Sequence, residues 1–561
     1  TVLLHFPSIN DTGRAYAEAD LARLWQMSAV QELLAQPLSE TPEMVALKPY
    51  WKQCLALKAK DAMLAVSLHG ERPQILMGFQ TTENLSDVWQ PACSWLSDNC
   101  DDESEEIITK EGAVTYRLIG SDSSKVAQAR WRDWCLTGTT ETAVRQALGR
   151  LRSNTNLSSL ANSETFKQAV HSLPGDYLSL SYVDTSKVND TKYANQGKEA
   201  PETASQPLIR HLRRLVHTAT KARLHAVALT SSIRDGKMVD QATVLADHKE
   251  SAPIDPCEVT LNLTSPDTLA FFTAALGSEP MRHHVLAPYM DRWMTSGNSV
   301  LEAAAAEVET LFNDSWSFQL EPIDRATESG ETAEIMLLLA FALRDQAAGR
   351  TWLNNLAEQD NSGVTRTGLE SFEFDVSFLT PPTSHLLTEL HARIDHGLLH
   401  FADDSRGLHQ VLRRWDLDNL SSLDEFRKLA RKLPEANAGL GFIDANRVLA
   451  NGYDALRHPL VIGTLWMGLR SQTNLEIDFN RLDTQAVPSD FTPTMIALSR
   501  TPGGFRQSSV GSLSPSQWAL GGGLAVALID KTFLEPLPME AEETFVAPEA
   551  EAELLRMMES D

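Results

Sequence analysis

A stretch of about 25 residues occurs twice in this chain. The first copy, "SLANSETFKQAVHSLPGDYLSLSYVD", spans 159–184, and the second, "SLDEFRKLARKLPEANAGLGFID", spans 422–444. In each copy a Phe is followed after seven residues by Leu and then Pro, and an Asp lies ten residues beyond the Pro. We align the Leu-Ser-Ser-Leu runs before the two copies with each other. That alignment places a three-residue gap before the Phe of the second copy.

The same register extends beyond these copies. "QILMGF", which ends at Phe79, corresponds to "MLLLAF", which ends at Phe341, and "AVALTSSIRDGKM" corresponds to "MIALSRTPGGFR". At the beginning, "VLLHFPSINDT" corresponds to "VTLNLTSPDT", which starts at Val259. The period is far longer than that of a solenoid repeat. We therefore predict a tandem duplication, with one unit at 1–250, a second at 257–532 and an acidic tail at 533–561.

Each unit has an α+β pattern. Short apolar runs joined by turn residues predict hairpins, and apolar residues at helical spacing separate them. The fold class expected is α+β, with mostly antiparallel sheets covered by helices on one face. In the second unit, "CEVTLNL" is predicted as the opening strand, and Ser265-Pro266 is predicted to start a helix.

Two segments fall outside this plan. A polar stretch at about 189–206 contains few large apolar residues and is predicted to be a mobile insertion in the first unit. The tail from about Glu535 is acidic and contains prolines, so it lacks the apolar residues of a core.

Charge narrows the range of partners. Asp and Glu number 75 against 49 Lys and Arg, which gives a net charge of −26. Such a chain lacks the basic surface that binding to nucleic acids or to anionic lipids requires. We expect an unknown protein or small-molecule partner and no nucleic acid. No apolar run reaches the 18 or so residues of a membrane helix, so no transmembrane segment is predicted in the chain.

Cysteine use does not identify a compartment. None of the five cysteines lies in a CxxC pair, which argues against a clustered zinc site. Cys93 and Cys100 are spaced so that they could form a disulfide, and this stays open. Because the chain begins at Thr1, we expect that an upstream signal peptide or tag was removed.

A search for chemical motifs finds no GxSxG, HExxH, phosphate-binding or dinucleotide-binding pattern. We therefore predict no catalytic residue, no cofactor-binding residue and no metal ligand, and no cofactor. Asp184 and Asp444 are either twin carboxylates or residues that end a strand and cap the next helix; the second interpretation is favoured. His5 and His400 interrupt apolar strands and are expected to be structural.

Trp131 and Trp134 alternate with charged residues and are expected to be buried. The neighbouring His283 and His284 are expected to point in different directions on a helix.

Three segments together resemble a family of large bacterial envelope proteins known only as a domain of unknown function. They are "TVLLHFPSINDTGRAYAEADLARLWQMSAVQELL" and the two copies of the repeated stretch. Members of that family follow a signal peptide or N-terminal anchor. The resemblance implies an extracytoplasmic location (periplasmic, envelope-associated or secreted) and no known activity.

The function expected is that of an exported, non-enzymatic binding or scaffolding protein of the bacterial cell envelope. One alternative is a hydrolase whose site lies in the cleft between the halves, a common place for ligand sites. Another is a carrier of an apolar ligand. The hydrolase needs a convergent His or carboxylate pair, and the carrier needs a large dry cavity.

Overall fold

The structure is a computed structural model. It describes residues 2–20, 22–23, 58–67, 74–82, 105–111, 114–120, 126–138, 140–153, 160–184, 224–246, 260–275, 286, 289–327, 330–375, 390–415, 417–448 and 491–514. The predicted insertion at 189–206, the acidic tail, Cys93, Cys100, His283 and His284 lie outside these residues. So does Trp89, which the sequence alignment of the two units pairs with Trp352.

The strands of the N-terminal half form one antiparallel arrangement. They are β1 (Val2–Ser8), β2 (Ala59–Ser67), β3 (Gln74–Thr81), β4 (Glu105–Glu111), β5 (Val114–Gly120), β6 (Val126–Trp131), β7 (Trp134–Gly138), β8 (Ser179–Asp184), β9 (Leu224–Arg234) and β10 (Lys237–Ala246). Their order across the sheet is β4-β5-β6-β7-β3-β2-β1-β8-β9-β10.

The strands of the C-terminal half are arranged in the same way. They are β11 (Ala270–Ala274), β12 (Phe312–Thr327), β13 (Gly330–Leu343), β14 (Val364–Arg366), β15 (Ser371–Phe374), β16 (Leu390–Asp395), β17 (Leu398–Ala402), β18 (Gly439–Ile443), β19 (Thr494–Thr501) and β20 (Gly504–Gly511). Their order is β14-β15-β16-β17-β13-β12-β11-β18-β19-β20. This is the order of the N-terminal half with every strand number raised by ten.

The register of the strands agrees as well as their order. His5 pairs with Leu180 in the N-terminal half, and Thr273 pairs with Leu440 at the same place in the C-terminal half. We call two residues counterparts when they occupy the same strand and register position in the two halves. When the same register is continued past the strand end, Asp184, the last residue of β8, corresponds to Asp444, the residue directly after β18.

The two halves share one continuous 20-stranded sheet. β10 and β20 pair antiparallel, from Met238 opposite Gly511 to Leu245 opposite Gly504. Each of these strands is the second strand of a hairpin, β9–β10 or β19–β20. The junction of the halves is therefore a ladder of backbone hydrogen bonds, which leaves no gap in the sheet there.

Seven α-helices have both ends within the described residues, and further helical residues occur at 289–294 and 445–448. The seven are α1 (Ile9–Ala17), α2 (Glu141–Ser153), α3 (Glu164–His171), α4 (Ser299–Leu311), α5 (Gln346–Ala357), α6 (Ser405–Arg413) and α7 (Asp424–Ala430). Short polar side chains cap the starts of six of them, as the sequence favours, and α7, which follows Leu423, is the exception. Ser163 accepts from the backbone N–H of Phe166 at 3.5 Å, and Asp404 accepts from that of Gly407 at 2.6 Å.

Helices cover both faces of the sheet in the C-terminal half, so the prediction of one covered face was wrong. α6 packs over Leu398 of β17, whereas α4 and α5 pack over the adjacent Leu399. Neighbouring residues of a strand point to opposite faces. The continuous apolar run of β13 supplies both layers, with Leu338 on the α6 side and Phe341 on the α5 side.

The predicted opening strand of the second unit was also wrong. The strand that corresponds to β1 is β11, and Thr260 and Leu261 lie in a helical turn before it. The predicted helix start is a turn, in which the backbone N–H of Ser265 donates to Thr268 Oγ1 at 2.8 Å. The run "AFFTA" of β11 is more apolar than "CEVTLNL" and pairs with β12 and β18 on its two sides.

The three-residue gap in the sequence alignment is absent from the structure. Short 3₁₀ helices start at Leu160 and at Leu420, four residues before α3 and α7 start at Glu164 and Asp424. Leu160 is thus the counterpart of Leu420. The two Leu-Ser-Ser-Leu runs therefore do not occupy equivalent positions in the structure. The second run lies three residues further along its half than the first run does.

Within the part of the chain that the structure describes, no helix combines the length and hydropathy needed to cross a membrane.

Candidate functional site

His5, near the middle of β1, lies between a carboxylate and a phenol. Its Nε2 atom is 3.7 Å from Asp61 Oδ1, and its Nδ1 atom is 3.2 Å from Tyr177 Oη. The His5 and Tyr177 rings meet edge to face, with centroids 6.0 Å apart. The His5 side chain is 25% exposed and that of Asp61 is 52% exposed, so the site opens to solvent on the Asp61 side.

Asp61 reaches His5 because β2 bulges at this point. The pairing of β2 with β3 shifts between Lys60 and Met63, and Asp61 has a φ of 46°. Asp is one of the few residues that tolerate this left-handed conformation, and bulges re-aim side chains. The strained backbone is a feature found often at functional sites.

The pKa values keep both ring systems neutral near pH 7. Burial lowers the pKa of His5 below its ordinary value, and the Asp61 carboxylate opposes that effect. Burial raises the pKa of Tyr177, and the negative charge of Asp61 raises it further. In the tautomer whose Nδ1–H donates to the phenol oxygen, Nε2 has a lone pair that can take up a proton or a metal ion.

The counterparts of these three residues form no such arrangement. The counterpart of His5 is Thr273, a fully buried residue that donates to the backbone oxygen of Trp316 at 3.2 Å. Ser315 stands at the place of Asp61. Asn437, three residues after Pro434 as Tyr177 is after Pro174, accepts from the backbone N–H of Arg500 at 2.8 Å. The site thus belongs to the N-terminal half alone.

His400 on β17 is the second perturbed histidine. Its side chain is completely buried, and burial lowers its pKa to about 4, against a backbone hydrogen bond to Asp395 that raises it. Nε2 lies 3.3 Å from the Asp395 carbonyl oxygen, which can only accept, so Nε2 carries the proton. Among the described residues, Nδ1 has no partner. The counterpart of His400 is the buried Leu136, so a neutral, structural His suits this position.

Glu321 on β12 forms a buried polar cluster. Its carboxylate, 1% exposed, accepts from Ser265 Oγ at 3.0 Å, from Gln319 Nε2 at 2.6 Å and from Thr268 Oγ1. Burial raises the pKa of Glu321, and these three hydrogen bonds lower it. The carboxylate joins the turn before β11 to the centre of the sheet, which is a structural role.

Asp240 occupies the junction of the halves. The side chain is 1% exposed and accepts from Ser509 Oγ at 3.5 Å and from Ser514 Oγ. Burial raises the pKa of the nearby Tyr16 to about 12, and the Asp240 charge adds to this effect. Next to it, Ser512 Oγ donates to Asp20 Oδ2 at 2.5 Å. Side chains of β10 are thus tied to β20 and the segment after it.

The structure shows the positions of the aspartates and tryptophans that the sequence pattern singles out. Asp444 caps the turn after β18, since its Oδ1 accepts from the backbone N–H of Arg447 at 3.1 Å, as the favoured interpretation required. Asp184 ends β8 and is buried. Trp131 and Trp134 flank the β6–β7 turn and are half-buried against the cluster under α2. In the described ranges, no group of three or more His, Cys, Asp or Glu side chains could hold a metal ion.

Asp61 and Tyr177 were missed in the sequence. They lie 56 and 172 residues from His5, and neither belongs to a local motif. A polar Asp inside the strand pattern "AKDAMLAVS" was the available signal, because it marks the place where the alternation of the strand breaks.

Comparison with known proteins identifies no family. No protein-family model matches the chain, and no curated protein matches it. Among solved structures, one titled "Structure of crystal form III of TP0453" aligns at a TM-score of 0.24 with 13% identity, over 45% of this chain and 79% of that chain. A likeness at this level carries no argument about fold or function.

Proposed function

We propose that this protein is a non-enzymatic binding or scaffolding protein of the bacterial cell envelope, built by tandem duplication of one ten-stranded unit. Three features support the duplication: the common strand order, the common register and the sequence landmarks. Phe79 and Phe341 are counterparts both in the sequence alignment and in the sheet, and the aligned Asp184 and Asp444 stand at the ends of β8 and β18. The units are those at 1–250 and 257–532, followed by the tail at 533–561.

The observation that carries the scaffolding proposal is the continuity of the sheet through the junction. Strand-to-strand pairing between Met238–Leu245 of β10 and Gly504–Gly511 of β20 makes the halves one extended surface. The hydrolase alternative places its site in a cleft between the halves, where the backbones instead pair directly. No observation among the described residues favours that alternative or an apolar carrier.

Three buried titratable groups have surroundings that are typical of structural residues rather than of catalytic residues. Glu321 accepts from three hydroxyl or amide donors, Asp240 accepts from two hydroxyls, and His400 is neutral and sealed from solvent. A general acid or base needs access to a substrate and a pKa near the working pH. These three groups lack access, so they stabilise the sheet.

A hydrolase panel tests the absence of catalysis. The purified full chain should turn over ester, peptide, glycoside and phosphate substrates no faster than buffer. A variant with His5→Ala, His283→Ala and His400→Ala is the control. Activity in the native protein that disappears in this variant would overturn the proposal.

The location is tested separately. In bacterial cells that produce the protein from its native gene, the envelope resemblance predicts that it co-fractionates with periplasmic or envelope markers. It should also be degraded by a protease added after the outer layer is opened. Recovery with cytoplasmic markers alone would contradict an extracytoplasmic location.

A further inference from the structure

We propose that His5 and Asp61 form a binding site for one divalent transition-metal ion, with His5 Nε2 and Asp61 Oδ1 as the protein ligands and Tyr177 as the residue that orients the imidazole. Nothing in this proposal depends on whether the protein acts as a scaffold. It rests on the geometry around His5 and on the contrast with the C-terminal half.

The separation of the two ligand atoms fits a shared ion better than a direct bond. At 3.7 Å, Nε2 and Oδ1 are too far apart for a strong hydrogen bond. Two ligands of a tetrahedral Zn²⁺ at bond lengths of about 2.1 Å lie roughly 3.4 Å apart. A movement of about 0.3 Å would bring the imidazole and the carboxylate to that separation.

The other side of the His5 ring has the partner that a metal-bound histidine requires. Such histidines nearly always use the second ring nitrogen in a hydrogen bond, which fixes the ring and its tautomer. Here Nδ1 lies 3.2 Å from Tyr177 Oη. With a metal ion at Nε2, the Nδ1–H group donates to the phenol oxygen.

Charge and exposure agree with this assignment. Metal binding requires a deprotonated imidazole, and Nε2 of His5 faces the carboxylate of Asp61 rather than a cationic group. Asp61 supplies one negative charge and is half-exposed, so an ion can enter from solvent. Since the protein provides two ligands, the remaining positions are open to water or to a donor atom of a partner.

Imidazole and carboxylate together suit Zn²⁺ and Cu²⁺ among the divalent ions. The left-handed φ of 46° at Asp61 gives an independent reason to look for function here. In the C-terminal half, Ser315 and Thr273 stand in place of the two ligands. Ser315 is not among the described residues with a positive φ, so the strained conformation of Asp61 is not repeated at its counterpart.

The experiment is calorimetric titration of the metal-free full chain with Zn²⁺ at pH 7, followed by Cu²⁺ electron paramagnetic resonance. We expect one dominant site per chain and a nitrogen hyperfine signal from one imidazole. His5→Thr, which installs the residue of the other half, should abolish both. Asp61→Asn, which tolerates the same φ, should weaken binding at least about tenfold, and Tyr177→Phe should weaken it about 10- to 100-fold.

His396 provides a matched control. It is 38% exposed and lies 3.8 Å from Asp395 Oδ1, but its ring is stacked on Trp415. His396→Asn, which tolerates the left-handed φ of 50° at this position, should leave Zn²⁺ affinity and stoichiometry unchanged. Circular dichroism of every variant reports folding, and Asp61→Asn serves if His5→Thr fails to fold. Equal losses in the His5 and His396 variants, or unchanged binding in both ligand variants, would show adventitious binding only and overturn the proposal.

Discussion

Gln241 and Ser508 lie directly opposite each other where β10 of one half pairs with β20 of the other. Each is the fifth residue of its strand, since β10 begins at Lys237 and β20 at Gly504. The two residues are therefore counterparts that pair with one another. A local twofold axis passes between them, and it relates the hairpin β9–β10 to the hairpin β19–β20.

Such an axis is the geometry of two like units that join edge to edge. In an isologous contact the same surface of both units is used, and each residue meets its own counterpart at the axis. Here the contact also removes two sheet edges, which would otherwise be templates for aggregation. The junction should therefore be essential for a stable chain.

A glycine at the junction tests this directly. Gly504 has a φ of 144°, and a Cβ atom there would lie 2.0 Å from the backbone oxygen of Val244 on β10. Gly504→Ala should lower the free energy of unfolding by at least about 2 kcal/mol, through overpacking and backbone strain. The midpoint of urea unfolding measures the loss.

Its neighbour is the control. A Cβ atom at Gly503 would meet only Leu245 Cδ2, at 4.0 Å, so Gly503→Ala should change the unfolding midpoint little. If the two variants unfold at the same urea concentration, the close approach of β10 and β20 is not as the structure describes it.

The buried carboxylate of Asp240 should contribute to the same junction. Asp240→Ala removes one acceptor from the buried hydroxyls of Ser509 and Ser514, and the loss of such buried hydrogen bonds costs about 1–3 kcal/mol. Gln507→Ala is the matched control, because Gln507 is the counterpart of Asp240 and is only half-buried. Thermal unfolding followed by circular dichroism should show a clearly lower midpoint for Asp240→Ala alone. Similar midpoints would mean that the carboxylate adds nothing to the junction.

Most of the secondary structure could be predicted from the sequence. The alignment of the two halves was wrong where it depended on weakly similar segments. Leu, Pro and Asp at fixed spacing located α3, α7, β8 and β18 because those residues have defined positions at helix and strand ends. The opening strands were misaligned, because "VTLNLTSPDT" copies the letters around β1 whereas β11 copies only its apolar character. The pattern of apolar and polar side chains determines which positions are buried, and many different sequences produce the same pattern of burial.

The candidate site could not be predicted in the same way. His5 was noticed as a polar residue in an apolar strand, but its partners come from β2 and from the loop before β8. They meet only because β1 lies between those two strands in the sheet. That strand order is a long-range property, which short motifs do not contain.

Two segments are predicted to be cut first by proteases. The stretch at about 189–206 and the tail after about 540 have too few large apolar residues to offset the entropy lost on ordering. Brief digestion with a protease of broad specificity should cleave at these two places, as mass spectrometry of the fragments would show. Cleavage inside β12 or β13 before either of them would contradict this prediction.

The buried His400 should make stability depend on pH. Its pKa is about 4 in the folded protein, below the ordinary value of 6.5, so the unfolded chain binds more protons between these values. The contribution of His400 to folding is thus complete above pH 6.5 and falls as the pH drops toward 4. The loss amounts to roughly 3 kcal/mol. His400→Leu, which installs the residue found at Leu136, should remove this dependence.

Asp403 should act in the opposite sense and is therefore the informative comparison. Burial raises its pKa from 3.8 to about 6, so its contribution to stability is complete below 3.8 and is lost as the pH rises through 6. Urea unfolding of the native chain, His400→Leu and Asp403→Asn at pH 4.5, 5.5 and 7 separates the two effects. Relative to the native chain, His400→Leu should gain stability toward low pH, and Asp403→Asn should gain it toward high pH. Curves for His400→Leu that run parallel to those of the native chain would mean that His400 titrates normally and is not sealed in the core.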